Sequence, residues 1–296
     1  MKRIEFRRFA GVRIRGSVPI ETPEPHHFSR AEWLTAQVES GGMYGTVISY
    51  DGTGATAGLH QCVAVYPSSL GQGPLWPLIV DCIRGGGDGI EIENLLGARR
   101  WRLTAAGKVV NKAGAVVSGR AIRDQLTGSP VGLMPHAGPG RDRAERWAEA
   151  LHRFFVRKTT FETQRRWGID HIQSTVRRSL RFSVRFPDET IEDKIYSNPY
   201  VMTPELDLAM AVYLSYTVNA PSAAHKRFCR AVDRVDPKED SNGFARFLMR
   251  KIGRSKYARW GAHHENGRYQ RTRRFAKRIY SPELFEPGGL MPRKMQ

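Results

Sequence analysis

Between Val38 and Gln61 the chain reads VESGGMYGTVISYDGTGATAGLHQ. Glu39 stands just before a glycine pair, and Asp51 follows twelve residues later inside D-G-T-G. Around them lie hydroxyl, ring and amide side chains (Tyr44, Tyr50, Thr56, His60 and Gln61), spaced by six glycines. Two carboxyls are the equipment of acid–base chemistry when their surroundings differ, one kept protonated to donate and one ionised to accept. The other reactive residues form no comparable set. Cys62, Cys82 and Cys229 are odd in number and lack a C-x-x-C, so they read as reduced structural thiols. The nine histidines show no H-E-x-x-H or other ligand spacing, so no metal is expected. The glycine patch RGGGDG at 84–89 is not G-x-G-x-x-G after a strand, so nucleotide binding is not expected either.

A helix has to deliver Glu39. Ser29 is a good N-cap with Glu32 three residues on, the capping-box spacing. Ala31, Leu34 and Val38 give an apolar stripe at i, i+3 and i+7. Gly41 and Gly42 end the helix. Glu39 then falls in the last turn, where the helix dipole favours cations. Local conflicts of that kind often mark functional positions. The following segment is rich in β-formers, and Asp51-Gly52 is a turn signal, so strands and turns are expected up to about residue 67.

Further along, residues 101–118 predict a β-hairpin with turns near Gly107 and Gly114. GRAIRDQLTG predicts a short helix, and Asp142 to about Phe182 a long helical stretch that Gly168 breaks or bends. Thr203 as N-cap with Pro204 at the first helical position opens a helix that is apolar nearly all round and therefore belongs in the core. More helices follow near 222–234, 241–253 and 268–279. The sum is a mostly helical α+β plan.

The net charge of +18 speaks to partners rather than to fold. Residues 17–140 are near neutral, with nine Lys/Arg against ten acids, whereas residues 225–296 hold nineteen against seven. The Glu39/Asp51 stretch thus sits in a neutral segment with basic flanks. A polyanion is the expected partner: a wall polymer, an acidic protein, or nucleic acid bound non-specifically through those flanks. No apolar run approaches the roughly 18–20 residues of a membrane span. The basic N-terminus lacks the apolar region of a signal peptide.

A helix ending in Glu, a hairpin carrying Asp, and further helices resemble the layout of the lysozyme-like superfamily. Tyr44-Gly45 followed by Asp51-Gly52-Thr53-Gly54-Ala55-Thr56-Ala57-Gly58 looks like the active-site hairpin of family 46 chitosanases. Glu39-Ser40 with Gly58-Leu59-His60-Gln61 is similar to the E-S…G-L-x-Q pattern of lytic transglycosylases and goose-type lysozymes. The resemblance covers residues 29–65. It implies that Glu39 is the general acid of a glycosidase, Asp51 the base that activates water, and Thr56 the residue that holds this water. It makes Tyr44, Tyr50, His60 and Gln61 substrate-binding residues of the cleft and calls for no cofactor. Tyr44, Tyr50 and Val38 would desolvate Glu39 and favour its protonated form, while the glycine-rich turn leaves Asp51 hydrated.

The chain also departs from these families. Chitosanases carry Arg where Thr53 stands, and a protein of this charge repels cationic chitosan. Both points favour an anionic glycan, peptidoglycan above all, cleaved with inversion by a phage lysin or a virion-associated wall hydrolase. A chitosanase-like hydrolase, a lytic transglycosylase, and a non-enzymatic assembly protein with a basic polyanion-binding surface are the alternatives. The implied division is a basic irregular segment 1–28, a lysozyme-like catalytic domain 29–235, and a basic helical extension 236–296.

Overall fold

The computed structural model describes residues 12–49, 53–129, 137–178, 202–218, 220–255 and 267–293, with 135, 185, 188, 195 and 258 as single positions. The chain is α+β and about 53% helical, the mostly helical class that its apolar periodicity suggests. It forms two compact units: Met1–Ile20 with Glu39–Trp167, and Glu21–Val38 with Gly168–Gln296. This division differs from the one expected from sequence. Among the described residues no helix is long and apolar enough to cross a membrane.

The first unit is built on a four-stranded antiparallel sheet. β1 (Val12–Ile14) and β2 (Val18–Pro19) precede helix α1 (His27–Glu39), then come β3 (Met43–Tyr44), β4 (Val47–Ser49), β5 (Thr56–Ala57) and β6 (Cys62–Val63). The sheet order is β1-β4-β5-β6, and β2 pairs separately with β3. Val12 lies opposite Ser49, Ile48 opposite Thr56, and Thr56 opposite Val63. The described part of the segment read as irregular therefore holds two strands, whose partners lie some thirty residues downstream.

Helices α2 (Leu75–Arg84), α3 (Ile90–Gly97), α4 (Gly119–Thr127) and α5 (Pro139–Phe155) complete this unit, with the hairpin β7 (Trp101–Leu103) and β8 (Val109–Asn111) between α3 and α4. The apolar run at 75–83 forms a helix despite Pro77, because Pro77 sits in the first turn, where its missing N–H has no intrahelical partner to lose. α4 is capped as its ends suggest: Ser118 Oγ accepts from Ala121 N at 3.2 Å, and Gly128 closes it in the left-handed region. α5 packs on α4, β1 and β4. The core joins Val47, Leu75, Ile79, Leu151 and Phe155 to Trp76 and Trp147, whose rings meet edge to face at 6.4 Å.

Cys62 and Cys82 lie in this core, and burial above all pushes both thiols up to about 12. They are neutral and shielded at physiological pH, whereas Cys229 is half-buried. In a maleimide time course read by mass spectrometry, Cys229 is expected to be modified in the native protein and the other two only on unfolding. Labelling of Cys62 or Cys82 ahead of Cys229 would show that this core opens locally.

α6 (Phe161–Arg178) begins in the first unit and ends in the second. The expected break at Gly168 is absent. The helical stretch is interrupted instead at 156–160, where Val156 and a 3-10 turn, Lys158–Thr160, separate α5 from α6. Residues 179–182 of the expected helix lie outside the described set.

The second unit is helical: α1 as far as Val38, then α7 (Pro204–Thr217), α8 (Pro221–Val232), α9 (Ser241–Gly253) and α10 (Arg268–Ala276). α7 is its core, buried from Leu206 to Thr217, and Thr203 Oγ1 accepts from Leu206 N at 3.2 Å as its N-cap. α8 and α9 pack on each other and on α7, so no boundary falls at 235–236. α1 starts two residues ahead of the expected cap. Arg30 N donates to His26 O at 2.9 Å, closing a turn before Ser29, so Ser29 and Glu32 sit inside the helix and Glu32 is fully buried.

Arg30 and Asp207 form an ion pair that ties α1 to α7. The pair lines a cavity of about 400 Å³ with Thr203, Ile279, Tyr280 and Leu284, and the guanidinium lies 5.1 Å from the Tyr280 ring centre. Asp207 keeps only 8% of its side chain exposed. Asp207→Asn is expected to lower stability by about 1–3 kcal/mol, because it leaves a mostly buried cation without its counter-charge. Urea unfolding measures this, and an unchanged midpoint would mean that Arg30 finds an equal partner elsewhere.

Candidate active site

The candidate site lies in the first unit, along the chain from Glu39 through the sheet strands to Gln61. Glu39 is the last residue of α1 and is half-buried. Gly41 and Gly42 follow with φ of 76° and 70°, so the chain leaves the helix through two left-handed residues and enters β3 directly. Ser40 secures the exit: its Oγ accepts from Met43 N at 3.3 Å, and its carbonyl accepts from Thr46 Oγ1 at 3.3 Å.

Gly45 is required by its surroundings. Its φ is 74°, and a Cβ there would stand 2.2 Å from Val156 Cγ1. His152 Nδ1 donates to Gly45 O at 2.7 Å, which fixes the β3–β4 corner against α5. Tyr44, expected in a sugar cleft, is 3% exposed, and its ring stacks on Phe161 at 3.8 Å and 8°. Its ring faces are therefore spent on packing rather than presented to a ligand.

Thr56 and Gln61 are brought together. Thr56 Oγ1 donates to Gln61 Oε1 at 2.9 Å. Gln61 Nε2 donates to Thr46 O at 2.8 Å and to Gly58 O at 3.0 Å. The amide thus bridges the β3–β4 connection, β5 and the turn before β6, and Gln61 itself takes φ of 51° to reach them. All of this side chain's strong donors and its carbonyl are engaged, so Gln61 acts as a brace for Thr56 rather than as a group offered to substrate. Thr56 is 7% exposed and its hydroxyl also lies 3.5 Å from Ile48 O; with the proton on the closer Gln61, its lone pairs can accept from a third partner. His60 is half-buried in the same turn.

Asp51 and Tyr50 fall in sequence between β4 and β5 and lie outside the described residues. The strand ends on either side are held: Ser49 Oγ donates to Gly54 O at 3.0 Å, with Leu126 O of α4 at 3.3 Å.

No family model, curated protein or solved structure matches the chain. Its chemistry is therefore read from the site alone.

One residue that sequence reasoning passed over supports the whole turn. Gln164 of α6 is 1% exposed. Its Oε1 accepts from Leu59 N at 2.9 Å, and its Nε2 donates to Phe155 O at 3.0 Å and Thr160 Oγ1 at 2.9 Å. It lies 105 residues from Leu59 in a helix rich in charge, so no local pattern distinguishes it.

Proposed function

We propose that the protein hydrolyses the glycan strands of peptidoglycan through a lysozyme-like arrangement, with Glu39 as general acid, Asp51 as general base and Thr56 as the residue that orients the attacking water. The observation that carries this reading is the order of the site: a helix ending on Glu39, an immediate glycine exit, and an antiparallel hairpin on which Thr56 is held by Gln61. A hydroxyl whose proton is already given away can only accept. A water donating to Thr56 and to a carboxylate turns its free lone pair toward the sugar carbon, the orientation an inverting hydrolysis needs.

The two-carboxylate mechanism asks for about 6.5–9.5 Å between the acid and the base. The basic charge of the chain favours an anionic glycan over a cationic one. With Tyr44 committed to packing, His60 and Tyr50 are the remaining ring side chains of the segment for sugar contacts.

Release of soluble fragments from purified peptidoglycan tests the reading, with Glu39→Gln as the matched variant. Products with free reducing ends support hydrolysis, and anhydro ends would assign the transglycosylase reaction instead. Equal release by both proteins would remove Glu39 from the chemistry.

A further inference from the structure

Helices α8 and α9 contain no acidic residue along their lengths, and the acids near them, Asp233, Asp236, Glu239 and Asp240, lie in the connection between the two. On α8, Lys226 and Arg230 are exposed one turn apart, and Arg234 is exposed in the turn that follows. On α9, Arg246 and Arg250 repeat the spacing, and exposed Arg254 follows the helix end. The opposite faces are committed to the core. Phe228 stacks on Tyr213 of α7 at 4.7 Å and meets Phe244 edge to face at 5.5 Å, so the helices cannot turn their cations inward. Arg227 closes the seam, with Nε donating to Lys251 O at 3.2 Å. α8 and α9 pack on each other, and packed helices lie about 8–10 Å apart.

Cations near helix C-termini are often no more than complements of the dipole. That accounts for Arg230 and Arg250 in last turns but not for Lys226 and Arg246. Nor does it explain the missing acids. On α5 exposed Arg153 is answered one turn away by Glu149, and half-buried Arg141 by Glu145, the usual way of neutralising a helix face. Within α8 and α9 no acid occupies such a position, and the nearest, Asp233, stands past the end of α8, three residues after Arg230.

We infer that this face binds the phosphate backbone of duplex DNA without regard to sequence. Charge density favours DNA over a wall polymer. α9 has 13 residues and is about 20 Å long, a length over which a duplex carries about twelve phosphate charges. Wall carboxylates, separated by whole sugars, would leave most of this surface unanswered. Five of the six cations in the two rows are arginine, whose planar fork matches phosphate oxygens in pairs. The inference does not depend on the glycosidase reading.

Fluorescence anisotropy with a short mixed-sequence duplex tests it. Wild-type affinity is expected to fall steeply as salt rises from about 50 to 200 mM. Arg230→Glu/Arg246→Glu/Arg250→Glu is expected to bind at least tenfold more weakly, with a log–log salt slope shallower by about three. Arg230→Lys/Arg246→Lys/Arg250→Lys retains the charge and should retain the slope. Arg99→Glu/Arg102→Glu/Lys108→Glu, in the first unit, changes the net charge equally and should bind like the wild type. Circular dichroism establishes that each variant is folded. Three results would overturn the inference: no binding by the wild type at low salt, equal weakening by the control triple, or loss of sedimentation with purified peptidoglycan by the first triple while its DNA affinity is unchanged. The last result would assign the face to the wall polymer.

Discussion

Glu39→Gln is expected to slow fragment release by about a hundred- to ten-thousand-fold, the range that a general acid contributes. The substitution preserves shape and hydrogen-bonding length and removes only the transferable proton. Its effect on folding should have the opposite sign. A carboxylate in the last turn of a helix opposes the dipole, a cost of about 0.3–1 kcal/mol at an exposed position and one that glutamine does not carry. Loss of activity accompanied by an equal or slightly higher unfolding midpoint would mark Glu39 as a residue kept for chemistry at the expense of stability. A lower midpoint with lost activity would mean that the variant fails through its fold. An unchanged rate would reduce Glu39 to an ordinary helix end.

Gln164→Leu carries the largest expected structural effect. It matches the glutamine in size but strands Leu59 N–H in the interior, leaves Phe155 C=O with only the 3.5 Å contact from Thr160 Oγ1, and takes the donor from Thr160 Oγ1. Each buried group left without its partner costs about 1–3 kcal/mol, so a loss of at least about 3 kcal/mol is expected in urea unfolding. Gln164→Glu supplies a graded control: it keeps an acceptor for Leu59 N–H, loses both donated bonds, and adds a buried charge. It should also be destabilised, with its deficit growing as the carboxyl ionises. A leucine variant as stable as the wild type would show that the 58–61 turn holds itself, and that the Thr56–Gln61 brace does not depend on α6.

What could be read from sequence follows the range of the interactions. α7 is legible because its start is written in adjacent residues: Thr203 caps, Pro204 fits the first turn, and the apolar run behind them is continuous. The hairpin of β7 and β8 is legible for the same reason, with Gly107 and Gly114 at its turns both in the left-handed region. β1 and β2 are not, since three- and two-residue strands have almost no pattern of their own and exist through β4 and β3. The start of α1 is misjudged by a local rule: Ser29 and Glu32 have capping-box spacing, but burial of the helix draws its first turn back to His27. In the site, the glycine exit after Glu39 is visible as a string of letters. The engagement of Gln61 with three partners, and of Gln164 with three more, is not, because side-chain bonds to distant backbone leave no periodicity.

The membership of α1 in the second unit has a consequence for how the protein is made. Arg30 must wait for Asp207, 177 residues later, and Val38 O accepts from Arg271 Nη1, 233 residues later. At about 5–20 residues per second, the first of these partners leaves the ribosome roughly 10–35 seconds after α1. Throughout that interval Ala31, Leu34, Ala36 and Val38, all buried in the finished fold, lack α7 and the helices that follow it in their unit. The nascent chain therefore presents an apolar helix early and for long, a natural substrate for holding chaperones. Synthesis halted before α7 should yield a chain whose sheet can pair but whose first helix stays sticky and open to proteolysis.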